Sequence, residues 1–157
     1  MKFTVIVARF AITGVPLAQM RMASALVARG HEVDLVIGFV ADGLTVPTLD
    51  GVSIIILDRP KARNLLPPLI RYLRKEKPDV IFSAEDHLNA IVIASAILSG
   101  SKAKISGSSR VNPFDTYSTK ILSKRWFLKK IMGALMWRAN VLTCVSKAMV
   151  DEYQTLF

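Results

Sequence analysis

Two short apolar runs, Phe3 to Val7 and Val33 to Ile37, flank a helical stretch from Pro16 to Arg29 that Gly30 and His31 bring to a stop. A strand-helix-strand unit of this kind joins parallel strands by a right-handed crossover, and parallel strands need cover on both faces of their sheet. A wound α/β sheet is the architecture that accommodates it. Ala18, Met22, Ala25 and Leu26 recur at helical spacing and predict the stripe that packs on the sheet. Thr13 and Gly14 then stand at the helix entrance, where unpaired N–H groups and the positive end of the helix dipole favour an anion. The other reading of Gly14 is a small residue for a tight turn.

The rest of the chain repeats the theme. Val52 to Leu57, Asp79 to Ser83, Ala103 to Ser106 and Asn140 to Val145 read as further strands. Helices are expected over Pro67 to Lys75, Leu88 to Leu98 and Ser118 to Arg138, with a last one from its cap Ser146 toward Gln154. Leu69, Ile70 and Leu73 form the expected inner stripe of the second helix. The sum is a Rossmann-like, doubly wound parallel sheet of about six strands alternating with five helices. Residues 1–157 are expected to form one domain.

Charge is informative once it is located. Between Lys102 and Arg138 nine basic residues face Asp115 alone, a local charge of +8 out of a total of +9. A concentration of this kind points to a polyanionic partner. The single cysteine, Cys144, excludes an intrachain disulfide and fits a reducing compartment, and no run of 18 apolar residues occurs. Cytoplasm is the expected location.

Ligands of a wound sheet bind beyond the carboxyl ends of its strands, which ranks the loops. The loop from Arg9 to Gly14 lacks the glycines of a dinucleotide fingerprint, although Glu32 and Asp34 lie near the spacing of a ribose-binding acid. Glu85, Asp86 and His87 place two carboxyls and an imidazole at a helix entrance, suited to acid/base work, to holding a sugar hydroxyl, or simply to capping the helix. From Ser108 to Tyr117 the chain offers Ser108, Ser109, Arg110 and Tyr117, hydroxyls and a guanidinium that can hold a phosphate or a sugar. Two histidines and one cysteine, far apart, give no metal-binding spacing.

The basic helix carries a second pattern. Ile121, Leu128, Ile131, Met132, Leu135 and Met136 share one face, the expected packing stripe. Leu122, Trp126, Phe127 and Trp137 lie opposite among Lys129 and Lys130, a mixture that suits the headgroup boundary of an anionic membrane. Cover by a second domain is the other reading. Nucleic acid is not expected, because the aromatics are not spaced as stacking platforms.

Several blocks resemble a known family. Gly14-Val15, Leu17-Ala18, Ala25-Leu26 and above all Arg29-Gly30-His31-Glu32-Val33 are similar to the opening of group 1, family four glycosyltransferases of the GT-B fold. Lys77-Pro78-Asp79-Val80-Ile81 and the segment from Ala139-Asn140-Val141 to Cys144-Val145-Ser146-Lys147-Ala148-Met149 resemble later blocks of the same family. The resemblance implies an N-terminal acceptor-binding domain, one half of an enzyme whose absent C-terminal domain holds the sugar nucleotide, so that this half alone is inactive. It implies a nucleotide-sugar donor for the complete enzyme, with no cofactor or metal bound by this domain. A lipid-linked or cell-envelope glycan acceptor and an anionic membrane surface are the expected partners, at the inner face of the membrane. Gly14 would line the diphosphate side of the cleft, without the second glycine that many relatives carry beside it. Where many relatives place a histidine after the fifth strand, this chain has Ser108, Ser109 and Arg110. Arg110 and His87 are thus the candidate catalytic residues. A non-catalytic α/β module that binds a nucleotide or phosphorylated ligand is the alternative.

Overall fold

A computed structural model describes residues 1–157. Its sheet has six parallel strands, β1 (Lys2–Phe10), β2 (Glu32–Val40), β3 (Val52–Ile56), β4 (Val80–Ala84), β5 (Lys104–Ser109) and β6 (Val141–Cys144), in the spatial order β3-β2-β1-β4-β5-β6. β1 is the axis, with Val5 paired to Leu35 on one side and to Phe82 on the other. Its side chains from Phe3 to Val7 are all buried, which is why it reads as a continuous apolar run rather than an alternating one.

Six helices accompany the strands: α1 (Gly14–Ala28), α2 (Leu66–Glu76), α3 (Asp86–Ser99), α4 (Pro113–Thr116), α5 (Lys124–Leu135) and α6 (Lys147–Leu156). On one face Ile6, Val36, Ile81 and Ile105 meet Leu69, Leu73, Leu88, Val92, Ile93, Met132 and Tyr153 from α2, α3, α5 and α6. α3 is apolar nearly all round because it is sandwiched between the sheet and its neighbours α2 and α5. The other face has only α1, which packs on β1, β2 and β3 through Met20 and Ala23. Helices therefore lie on both faces, as expected, with α1 covering β1 to β3 on this one and Val141 of β6 left exposed.

Three sequence expectations need correction. The buried side of α1 is Pro16, Gln19, Met20 and Ala23; Ala18, Met22 and Leu26 are only half-buried and Ala25 is exposed. α1 is apolar around much of its circumference, so spacing alone does not select the packed side. In α2, Tyr72 joins Leu69 and Leu73 while Ile70 stays half-buried. The Tyr72 hydroxyl donates to Asp34 Oδ2 at 2.6 Å and lies 2.8 Å from Thr4 Oγ1, and burial pushes its pKa up. Asp34 is therefore committed to the core near the amino ends of the strands, away from any ribose.

The long basic helix is interrupted. α4, a loop and then α5 occupy Pro113 to Leu135, and a single 3-10 turn, Met136–Arg138, follows. Leu122 has φ 66°, a left-handed conformation that ends any continuous helix, and Ser123 restarts it by accepting the Trp126 N–H on its hydroxyl at 3.1 Å. Ile121 is consequently outside the helix and exposed, and Ile131 is also exposed. Met132 is the fully buried member of the expected stripe, with Leu128, Leu135 and Met136 packed beside it.

Candidate functional site

Strand order fixes where a site can form. β2 and β3 extend the sheet to one side of β1 and β4 to β6 to the other, so the connections diverge between β1 and β4 and leave a crevice beyond their carboxyl ends. A cleft of about 450 Å³ opens there. Ala8, Arg9, Ala11, Thr13 and Pro16 line it from the end of β1 and the start of α1, Pro60 and Ala62 from the turn after β3, and Glu85 and His87 from the corner between β4 and α3.

The α1 wall presents unpaired donors. Thr13 is extended and makes no side-chain capping bond, so the first N–H groups of the helix are left to solvent or a ligand. Gly14 is exposed, and a Cβ placed on it would meet no atom within 4 Å. The fold itself does not require a glycine there; the open space is available to a ligand. Arg9 adds an exposed guanidinium to the same wall.

The opposite wall is strained and held in place. Glu85 has φ 86°, a conformation that costs a non-glycine residue on the order of 1–3 kcal/mol and persists only when its surroundings fix it. Here they do. The Glu85 N–H donates to the Ser108 carbonyl at 3.0 Å, and its own carbonyl accepts the Asn89 N–H at 2.9 Å. Asn89 is buried, donates from Nδ2 to the Ser108 carbonyl at 3.1 Å and accepts the Ser83 hydroxyl at 2.7 Å. The corner thus ties β4, α3 and β5 together and aims Glu85 and His87 at the cleft.

Glu85 Oε2 and His87 Nε2 are 3.2 Å apart. The hydrogen bond that the His87 Nε2–H donates to the Glu85 carboxylate raises the imidazole pKa above its ordinary value, against a smaller opposing effect of burial. His87 therefore stays protonated to higher pH than a free histidine. With Arg9 and the α1 entrance it gives the cleft a cationic lining, and the Glu85–His87 pair is a group able to pass a proton.

Of the other candidates, Asp86, Ser109 and Tyr117 are turned inward, not toward a ligand. Asp86 accepts hydrogen bonds from Tyr153 through Oδ1 and from the Ser109 hydroxyl through Oδ2, the latter at 3.0 Å. Burial raises the Asp86 pKa, and the Tyr153 and Ser109 bonds partly offset that. Tyr117 is 1% exposed, with its ring edge-on to Tyr153 and Phe157. Direct ligand contact by these three is replaced by a buried cluster that joins α3, β5 and α6 behind the site. Ser108 is half-buried and gives its carbonyl to the corner, while Arg110 is exposed, unpaired, and not among the residues lining the cleft. Glu85 and His87 line the cleft together with Thr13, the residue before Gly14; Gly14 itself and Arg110 are not among its lining residues.

Sequence reasoning ranked the Arg9 loop but missed Arg9 itself, Asn89 and Tyr153. A charged residue closing an apolar strand was a usable signal for Arg9. Asn89 and Tyr153 matter through partners distant in the chain, which spacing does not reveal.

The expected membrane-contact residues are divided between the two ends of α5. Trp126 and Phe127 stand at the first turn of α5, rings 5.0 Å apart, with Lys130 Nζ 5.6 Å from the Trp126 ring. Trp137, 74% exposed, lies in the turn beyond the far end, about 16 Å away along the axis at 1.5 Å per residue. Lys129 is half-buried and Lys130 exposed. The larger apolar exposure is instead in the segment before and at the start of α5: Val111, Phe114, Ile121, Leu122 and Phe127, among Arg110, Lys120, Lys124 and Arg125.

The wound sheet, the crevice between β1 and β4 and the sequence blocks fit one family, and the chain matches Glycosyltransferase Family 4 over residues 12–157. The chain belongs to glycosyltransferase family 4. No curated protein matches it by sequence. Its fold is similar to half of several GT-B structures. The apo lipopolysaccharide outer core galactosyltransferase WaaB matches with a TM-score of 0.65 at 12% identity, over 99% of this chain and 42% of that one. Sucrose-phosphate synthase from Thermosynechococcus elongatus matches with a TM-score of 0.72 at 12% identity, over 98% of this chain and 44% of that one. MurG of Acinetobacter baumannii matches with a TM-score of 0.54 at 13% identity, over 91% and 40%. The family 4 chain thus spans less than half the length of these structures, and no helix in it is long and apolar enough to cross a membrane.

Proposed function

We propose that this chain is the acceptor-side half of a glycosyltransferase that moves a sugar from a nucleotide-sugar donor to a lipid-linked or cell-envelope glycan. The observation that carries the reading is the cleft at the β1–β4 divergence, where the α1 entrance and Arg9 face the Glu85–His87 pair in a family 4 domain. Sugar transfer from a nucleotide diphosphate needs stabilisation of the departing phosphate charge and a route for the acceptor proton. Gly14, Arg9 and the free N–H groups of α1 supply the first. His87, held by Glu85, supplies the second or adds its positive charge to the first. Asp86, Ser109, Tyr117 and Tyr153 are positioning residues behind it. Arg110 and Ser108 stand at the end of β5, where the sugar acceptor would approach. The nucleotide portion of the donor belongs to the second half of the enzyme.

The acceptor's class rests on a second observation, the apolar and basic surface from Arg110 to Lys130. Exposed Ile121, Leu122 and Phe127 with basic neighbours suit the interface of an anionic membrane, with rings and aliphatic groups inserted and cations at the phosphates. This surface supports a peripheral position at the cytoplasmic face of the membrane, against a lipid-borne acceptor. The lipopolysaccharide substrate in the name of WaaB is of the same class.

Sedimentation with vesicles tests this part. Anionic phosphatidylglycerol vesicles are expected to retain the protein better than neutral phosphatidylcholine ones, and Leu122→Asp with Phe127→Asp is expected to abolish the difference. Equal retention by both vesicle types removes the membrane reading. The cleft reading is tested separately by titrating nucleotide sugars into the complete enzyme and its His87→Ala variant.

A further inference from the structure

A second cavity lies at the other end of the sheet, about 25 Å from the cleft along β1 at the usual rise of a strand. It measures about 670 Å³ and is bounded by the ends of α2 and α3 and by the segments that enter β4 and β5. Met1, Leu73, Pro78 and Gly100 share its lining with charged and hydroxyl residues, and four of those are basic: Arg74, Lys77, Lys102 and Lys104.

Basic residues at helix carboxyl ends have an ordinary explanation, compensation of the negative end of the dipole, and its size can be compared with the charge present. α2 ends at Glu76 and α3 at Ser99, each bringing about half a negative charge to the cavity. Asp79 adds one more, and its Oδ2 is already accepting the Lys2 N–H at 2.7 Å. Together these offset about two of the four positive charges. An excess of about two remains. Lys77, Lys102 and Lys104 pair with no carboxylate, and Arg74 spends one N–H on the Leu98 carbonyl at 3.0 Å. Like charges around one concavity repel, and an anion placed among them relieves that repulsion.

The cavity wall is also pre-arranged. Lys77 and Gly100 are both left-handed helix caps, with φ 45° and 69°. The Arg138 guanidinium donates to the Ser101 and Ala103 carbonyls at 2.7 and 2.9 Å, which fixes the two ends of the segment that carries Lys102. The side chains are thereby mounted on a backbone that does not have to order itself on binding.

We propose that this cavity is a second anion site, independent of the transfer cleft, that takes a group carrying two negative charges such as a phosphomonoester or a diphosphate. The excess of about two positive charges matches that class. A soluble phosphorylated metabolite and a lipid with a phosphomonoester headgroup present the same chemistry.

The test uses inorganic pyrophosphate as the soluble probe, followed by amide resonances at low ionic strength, and phosphatidic acid against phosphatidylcholine vesicles as the lipid probe. Resonances of Lys77 and of Gly100 to Lys104 report this cavity, and those of Thr13 and Gly14 report the cleft separately. Saturable shifts at the cavity resonances, weakened at least tenfold in the Lys77→Gln, Lys102→Gln double variant and by raised salt, support the site with a soluble ligand. Retention on anionic vesicles that falls at least threefold in the same variant, without pyrophosphate shifts, supports it with a headgroup. Both substituted side chains are exposed, and an unchanged Tm verifies that the variant is folded. If the double substitution alters neither pyrophosphate affinity nor vesicle retention, the proposal is overturned, whatever the cleft resonances do.

Discussion

Replacing Tyr153 with Phe removes one hydroxyl from the cluster behind the cleft and leaves its ring packing against Tyr117 and Phe157 intact. The hydroxyl donates to the buried Asp86 carboxylate and lies 3.0 Å from Ser109 Oγ. A hydrogen bond to a charged group contributes about 1.5–3 kcal/mol, so Tyr153→Phe is expected to cost about 2 kcal/mol near neutral pH. For a domain of this size that lowers Tm by roughly 4–8 °C. The loss also depends on pH. Burial raises the folded-state pKa of Asp86 above its ordinary 3.8, so the native state binds the extra proton and stability falls as pH rises from 3.8 through the folded value. The Tyr153 bond lowers that pKa; without it the fall is deeper and extends to higher pH. Urea denaturation of wild type and variant at pH 7.5 and pH 4 is the assay. The difference should shrink at pH 4, where Asp86 approaches its neutral form. A cost below about 0.5 kcal/mol at pH 7.5, or one equal at both pH values, would refute an ionised, Tyr153-supported Asp86.

The remaining predictions concern the cleft and the sheet. Glu85→Gln removes the charge that raises the His87 pKa, so the imidazole midpoint followed by proton resonance should drop toward 6.5; an unchanged midpoint contradicts the pairing. In wild type the stabilisation from this pair is present below the ordinary histidine pKa and is lost as pH rises through the elevated folded value. Gly14→Ala should change Tm by less than about 2 °C, because its Cβ enters open space; a loss of many degrees would mean that the turn itself needs glycine. Gly38→Ala, by contrast, puts a Cβ 2.4 Å from the Ala8 carbonyl oxygen and 3.0 Å from Leu65. It should destabilise by about 3 kcal/mol or more, measured as soluble yield and urea midpoint, and a near-neutral result would contradict the β1–β2 packing.

The sheet was legible because buried parallel strands write themselves as unbroken apolar runs, and Phe3 to Val7 or Val33 to Ile37 fit nothing else as well. The packed side of α1 was not, since a helix with alanine and methionine around its circumference has no sharp apolar edge. The basic helix failed at Leu122, whose left-handed backbone no helical wheel reports. At the site, His87 and Glu85 were readable as a pair at a strand end. Asp86, Ser109 and Tyr117 were read as ligand groups because polarity marks a loop residue without saying which way it points. Their inward turn depends on Tyr153, 67 residues beyond Asp86 in the chain.

The central claim, that the cleft between the Gly14 entrance and the Glu85–His87 corner is the acceptor side of a sugar-transfer site, is tested most directly by transfer itself. The complete enzyme, carrying both halves, is incubated with membranes and radiolabelled nucleotide sugars, and label is counted in the lipid-extractable fraction. The account predicts incorporation that His87→Ala lowers at least a hundredfold, within the range general acid–base groups contribute, while the protein remains folded and membrane-bound. Incorporation that His87→Ala leaves unchanged would contradict it.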